Sequence, residues 1–383
     1  MTRFAYKLSS LAAVLFMASS LFATRTNFNG LSGNVCVDLP EGFKLESSAG
    51  DSSFQLQSTI APVHAIIKIF PASKYSGTEK AMKDTVSKLG LNADVDTFKW
   101  RNNDTAMAMF SGNILGVSSQ GYGAAAVIPE NKSIILVLTW AAEKDAVAAN
   151  SYMASLIDSV YVDIESYFTS GILTSYTFPA QGQQDIKLSI GGTKIATKLD
   201  GSDKEAADYL IDREYRMLLL YQKSDLWKEA WQRYYRIIFR DSCSRLRQAA
   251  FDISNALAPG CKDTTEYAQK LLTWTQDFKY EREKNTSDFA SLPSILLGGG
   301  SDCDSRSMLI AVLLQAINED AIIFVSAEYS HAIAGFVSNH PGFGFTVNGK
   351  TYLTGETTAK GLTWGKISGS QTDPEKWIPV VLP

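Results

Sequence analysis

Histidine is scarce in this chain. Three histidines and four cysteines are spread over 383 residues. There is no His-Glu-x-x-His pattern and no Cys-x-x-Cys pair, so the usual zinc sites lack their ligands. No metal and no cofactor is expected. Long basic runs are also missing, and 36 Lys and Arg stand against 40 Asp and Glu. The clustered cations that a phosphate backbone demands are absent, so no nucleic-acid partner is expected. Gly191-Gly192-Thr193-Lys194 lacks the spacing of a phosphate loop. Beyond the first residues, no apolar run approaches the length of a membrane span. What is present is 45% hydrophobic and 20% charged. That composition is globular and excludes wholesale disorder. The length exceeds one ordinary core and implies at least two domains.

The N-terminal segment reads as an address. Arg3 and Lys7 precede an apolar run from Leu8 to Ala23, which closes on small residues, Ala18, Ser20 and Ala23. A short cationic region, an apolar core and a small-residue end make a secretory signal. Residues 1–23 are therefore expected to be removed, leaving an exported periplasmic or extracellular protein with no stable membrane span. An oxidising compartment permits disulfides, and Cys243 with Cys261 is one conceivable pair.

Residues 34–163 read as an α+β unit. Strands are expected at Val35–Leu39, Phe54–Gln57 and Ala65–Phe70, with a turn at Glu41-Gly42-Phe43. Ser76-Gly77-Thr78-Glu79 carries a capping-box signal for a helix to Leu89. Strands near Thr97–Trp100, Ala106–Ser111, Gly121–Ile128 and Ser133–Trp140 follow, then a helix over Lys144–Val160. His64 reads as a packed or solvated residue. This order of elements resembles the PsbP/Mog1-like fold in topology alone. Residues 164–203 read as a linker with a hairpin, because Gly191-Gly192 separates two strand-like runs. Thr169–Gln184 is its polar, linker-like stretch.

Residues 204–383 open with a helical lead-in. Glu205–Gln222 and Ser224–Arg240 carry apolar and aromatic residues at helical spacing. Arg233, Arg236 and Arg240 are expected on a solvated face or paired with acids of the preceding helix.

The chemistry concentrates in Gly298-Gly299-Gly300-Ser301-Asp302-Cys303-Asp304. An apolar helix pattern follows, with Asp302 as its N-cap. Cys303 then stands at the first turn, where free N–H groups and the helix dipole favour a thiolate and can steady an oxyanion. His331 opens a strand-like run downstream. Asn348-Gly349 signals a hairpin that returns the chain beside it and leaves Glu356 near the imidazole. Cys303 as nucleophile, His331 as base and Glu356 as its orienting acid form a candidate triad. Gln276 either assists the oxyanion or holds a loop. As a calcium loop the cysteine segment fails, because Ser307 and Leu313 occupy the glycine and glutamate slots.

These blocks resemble the transglutaminase-like superfamily. They comprise Gly-Ser-Asp-Cys-Asp with its helix, the His-Ala strand, the Glu-Thr-Thr strand end, Gln276-x-x-x-Tyr280, and Pro293-Ser294-Ile295-Leu296. The resemblance spans about residues 262–370. It implies a papain-like fold and acyl transfer through Cys303, His331 and Glu356, with Glu356 where many members carry Asp. The expected whole is thus α+β: a PsbP/Mog1-like domain, a helical lead-in and a papain-like, transglutaminase-like domain. The expected activity is a peptidase or amidase acting on a peptide, protein or cell-envelope amide. Amine transfer is the second choice, and an inactive peptide- or envelope-binding module is the alternative from a different class.

Overall fold

The computed structural model describes residues 25–27, 34–282 and 287–383. The expected signal segment lies outside them. In the first part of the chain the elements run β1 (Arg25–Asn27), β2 (Cys36–Asp38), β3 (Phe43–Ser48), β4 (Ser53–Ser58), β5 (Val63–Phe70) and α1 (Thr78–Lys88). They continue through β6 (Asn92–Trp100), β7 (Asn103–Ile114), β8 (Val117–Val127), β9 (Ile134–Ala142), α2 (Glu143–Asp158) and β10 (Val160–Tyr161). Seven strands form one antiparallel sheet in the order β3-β4-β5-β9-β8-β7-β6. Along β9, Ile135 and Val137 pack into one core and Leu136 and Leu138 into another. This period of two follows from the pleat and lets helices cover both faces. α1 brings Ala81, Met82 and Val86 to the Leu136 face, and α2 brings Ala154 and Ile157 to the Ile135 face.

Two local expectations are corrected here. The turn closes at Gly42, and Phe43 already opens strand β3. The helix α1 begins after Gly77 with no side-chain cap, so the Ser76…Glu79 box does not form. His64 stacks on Trp140 across the β5–β9 pair, with ring centroids 5.5 Å apart.

Residues 164–203 hold a 3₁₀ turn (Ile164–Phe168), α3 (Ile172–Thr177), β11 (Gln183–Ile190) and β12 (Thr193–Asp200). Gly191 and Gly192 have φ of 54° and 83°, the left-handed pair that a two-residue hairpin requires. The stretch before the hairpin is anchored: Ile172, Leu173 and Thr174 are buried, and Thr174 bonds to Asp158.

The rest comprises α4 (Asp203–Leu219), α5 (Trp227–Arg245), α6 (Arg247–Leu257), α7 (Thr264–Gln276), α8 (Leu292–Leu296) and α9 (Cys303–Gln315). After them come β13 (Ala321–Ser326), β14 (His331–Val337), β15 (Gly344–Val347), β16 (Lys350–Gly355) and β17 (Ile378–Val380). The second sheet runs β15-β16-β14-β13-β17, all antiparallel. α9 packs on it through Met308, Leu309, Val312 and Leu313, which share one core with Val325, Ala332 and Ala334. That packing sets the start of α9 beside the start of β14.

The arginine stripe of α5 does not face water. Arg233, Arg236 and Arg240 are 0%, 7% and 1% exposed. Arg233 meets Glu214 and Ser155, and Arg236 meets Asp38. Arg240 donates to the carbonyls of Asp158, Val160, Ser166 and Thr169. A guanidinium fork has enough donors to satisfy several buried carbonyls at once, so the stripe seals α5 to the first sheet's unit. Among the described residues no helix is long and apolar enough to cross a membrane.

Candidate functional site

The site begins with a capping box. Asp302 Oδ1 accepts from Ser305 N at 2.7 Å, and Ser305 Oγ accepts from Asp302 N at 3.1 Å. This stops the backbone cleanly and makes Cys303 the first residue of α9. The preceding Ser301 is pinned by a short parallel bridge: its N–H donates to Lys279 O, and its carbonyl accepts from Glu281 N. Arg306, one turn into α9 and buried, donates to Ser301 Oγ, Phe278 O and Thr357 O. One side chain thus ties the cysteine turn, the segment after α7 and the Glu356 turn together.

His331 starts β14 directly after Ser330, whose φ of 47° turns the chain sharply. The β14–β16 pairing sets Ala334 opposite Gly355, which brings Glu356 to the imidazole. His331 Nε2 and Glu356 Oε2 are 2.7 Å apart. The other oxygen, Oε1, accepts from Thr358 N at 2.8 Å and from Thr358 Oγ1 at 2.6 Å. Burial works to raise the Glu356 pKa. The bond to His331, the imidazole charge and the two Thr358 donors outweigh it, and the carboxyl is held below its usual range. Trp377 lies 6.3 Å from the imidazole, centroid to centroid.

Gln276 holds the loop. Its Nε2 donates to Glu356 O at 2.9 Å and Leu362 O at 3.1 Å, and its Oε1 accepts from Gly361 N at 3.1 Å. Both amide hydrogens are committed to carbonyls, which leaves none for an oxyanion. Asp302 serves as the cap.

Cys303 itself is 3% exposed. Its Sγ donates to Asp304 Oδ1 at 3.2 Å, and the Ala332 N–H, next in chain to His331, points at the same sulfur. No hydrogen bond joins Cys303 to His331 among the described residues. Tyr280, the last residue of the Gln-x-x-x-Tyr block, sets its hydroxyl against the thiol. Asp304 Oδ2 accepts from the hydroxyl of Tyr235 on α5.

The electrostatics reverse the expectation of a favoured thiolate. Burial pushes the Cys303 thiol well up, and the charges of Asp304 and Asp302 push it further, with the bond to Asp304 in the same direction. The Ala332 N–H offsets only part of this. An exposed helix terminus contributes about 0.3–1 kcal/mol, whereas full burial costs a charged group several times more, on the order of 4 kcal/mol or above, so the dipole loses. Asp304 and Asp302 also titrate high, chiefly through burial.

No protein-family model matches the chain, and no curated protein does. Solved structures give weak likenesses. The PsbP protein CyanoP of Synechocystis sp. PCC 6803 is 12% identical, with a TM-score of 0.30 over 40% of this chain and 98% of its own. The Ran-binding protein Mog1p of Saccharomyces cerevisiae is 13% identical, with a TM-score of 0.26 over 34% of this chain and 90% of its own. A protein from Bacteroides thetaiotaomicron overlaps 83% of this chain and 85% of its own at 9% identity, with a TM-score of 0.25. PsbP and Mog1 structures are thus weakly similar to part of a mixed α and β chain.

Several residues at the site carried no chemical role in the sequence. Tyr235 comes from α5, far along the chain. Arg306 sat unremarked inside the helix pattern. Cys243 and Cys261 are both free thiols, and Cys261 Sγ donates to Leu257 O. No group of three or more His, Cys, Asp or Glu among the described residues is placed to hold a metal.

Proposed function

We propose that the chain is an exported, cysteine-dependent acyl-transfer enzyme, a peptidase or amidase. In this reading residues 204–383 form a papain-like, transglutaminase-like domain behind a PsbP/Mog1-like domain. The observation that carries it is the 2.7 Å contact of His331 Nε2 with Glu356 Oε2, with Cys303 Sγ against the neighbouring Ala332 N–H. Glu356 takes the Nε2 hydrogen, so the neutral imidazole keeps its lone pair on Nδ1. Nδ1 is then the atom that accepts the Cys303 proton. The sulfur attacks an amide carbonyl, a C–S bond forms, and the proton on Nδ1 passes to the nitrogen of the breaking C–N bond. The amine leaves. Water attacks the thioester and releases acid and free thiol; an amine in place of water gives amine transfer. The Cys303 N–H, at the start of α9, is the backbone donor assigned to the oxyanion in this reading.

The burial and raised pKa of Cys303 favour a second reading, an inactive module that binds peptide or cell-envelope material. A peptide amide analogue carrying a thiol-reactive group separates the two. The enzyme reading expects labelling at Cys303, mapped by mass spectrometry, and loss of labelling in His331→Ala. Failure to label Cys303, or equal labelling of both proteins, gives the chain to the binding reading. Export expects native protein to begin near residue 24 when its N-terminus is sequenced; a start at Met1 on membrane-held material refutes it.

A further inference from the structure

The thiol of Cys303 has two candidate proton acceptors, and the structure shows it committed to one. Sγ donates to Asp304 Oδ1 at 3.2 Å, while Tyr235 donates to Asp304 Oδ2. Asp304 is therefore held at both oxygens and cannot swing without breaking the Tyr235 bond. No ion pair ties Asp304 to a cation among the described residues. The imidazole, by contrast, is occupied by Glu356 on Nε2. We propose that Asp304 is a positioning residue that latches Cys303 as a protonated thiol, so that the nucleophile is released only when Sγ turns from Asp304 to His331. The latch rests on reading Cys303 and His331 as an acyl-transfer pair, yet it is measurable without turnover.

The surroundings agree. From α9 itself, Asp302 and Arg306 face the thiol. From the segment after α7 come Tyr280 and Arg282, and just before α8 stands Asp288. α5 contributes Tyr235, with Tyr234 beside it facing the two acids, and β14, which opens with His331, contributes the Ala332 N–H. Arg282 is engaged by Asp288, and Arg306 by three acceptors of its own. The acids Asp302 and Asp304 thus dominate the field at the sulfur, and both disfavour a second negative charge there.

Asp304→Asn tests the latch, because it keeps the size and an acceptor oxygen while removing the charge. Alkylation of Cys303 by iodoacetamide is followed from pH 5 to 10 on the full chain, resolved by peptide mass spectrometry from Cys36, Cys243 and Cys261. The expected result is a half-maximal pH lower by at least about one pH unit, hence about tenfold faster alkylation near neutrality. A profile that superimposes on the wild-type one, or moves upward, overturns the proposal. Should Asp304→Asn fail to fold, thiolate absorbance at 240 nm decides on the native protein, as wild type minus Cys303→Ala. The latch expects no thiolate step below about pH 8.5, the ordinary thiol value; a step below pH 7 defeats it. A shifted alkylation profile with no labelling by the amide analogue would leave the latch standing and remove the enzyme reading, and the opposite pair of results would do the reverse.

Discussion

Glu356 reaches the proposed chemistry only through His331, and that limits what each substitution there can do. Glu356→Gln keeps a hydrogen-bonding group but places an amide N–H where Nε2–H must be accepted. The imidazole then favours its other tautomer, with hydrogen on Nδ1, and cannot take the thiol proton. Loss of an orienting carboxylate in this way costs up to about 10⁴ in rate. Glu356→Gln is expected to lower acyl transfer by about 10²–10⁴, and Glu356→Asp by less, since the carboxylate survives one methylene short. Turnover of an amide substrate by the two variants is the measurement; equal activities would detach Glu356 from the mechanism. At this scale the meeting of His331 with Glu356 was legible because each sits in a recognisable local block. The state of the thiol was not legible. The helix dipole does favour a thiolate at the first turn, and that much is local. Burial and the Asp304–Tyr235 pairing are tertiary facts, and they decide the sign.

Elements were readable where backbone chemistry is local. Asn348 and Gly349 adopt φ of 51° and 78°, as Gly191 and Gly192 do at their own turn, and both hairpins form where those residues stand. Caps were less uniform. The Ser76…Glu79 signal fails because the N-cap of α1 is Gly77, which has no side chain to accept a bond, whereas Asp302 closes a box with Ser305 in the slot usually held by Glu or Gln. The cap on α9 yields a split prediction. Asp302→Ala removes the Oδ1 bond to Ser305 N, at a cost of about 1 kcal/mol. Asp302→Asn keeps that oxygen and puts a neutral amide where burial and the neighbouring Asp304 raise the carboxyl's pKa to about 8, so that it is already largely protonated at pH 7. Thermal unfolding at pH 7 should therefore show a fall for Asp302→Ala and none, or a rise, for Asp302→Asn. Equal falls would mean that the carboxylate's charge, not its cap, stabilises the turn.

At the scale of the whole molecule the sequence left the cations of α5 between a wet face and pairing with the preceding helix; Arg233 does meet Glu214 of α4, but all three arginines fill a dry seam. Nothing local distinguishes the two, since Arg233, Arg236 and Arg240 follow the same period in either case. The partners Asp38, Asp158 and Glu214 lie far away in the chain or on another helix. Glu41 shares that seam. Its carbonyl accepts from Tyr152 and Tyr221 at 3.0 and 2.9 Å, but neither carboxylate oxygen has a hydrogen-bond partner. Burial raises its pKa to about 7 from 4.5, against the pull of Arg233 and Arg236 and with a push from Asp38. Folded chain therefore holds this proton at pH values where unfolded chain has released it. Between about pH 4.5 and 7 the folded state binds more protons, so stability falls as pH rises, and above 7 the loss is complete. The size is on the order of 3 kcal/mol, since each tenfold change in proton affinity is worth about 1.4 kcal/mol. Glu41→Gln is neutral throughout and lacks this slope. In urea titrations the variant should match wild type near pH 4.5 and exceed it progressively up to pH 8. A difference between the two proteins that stays flat over that range would show that Glu41 is already ionised in the folded seam, with Arg233 as its effective counter-ion.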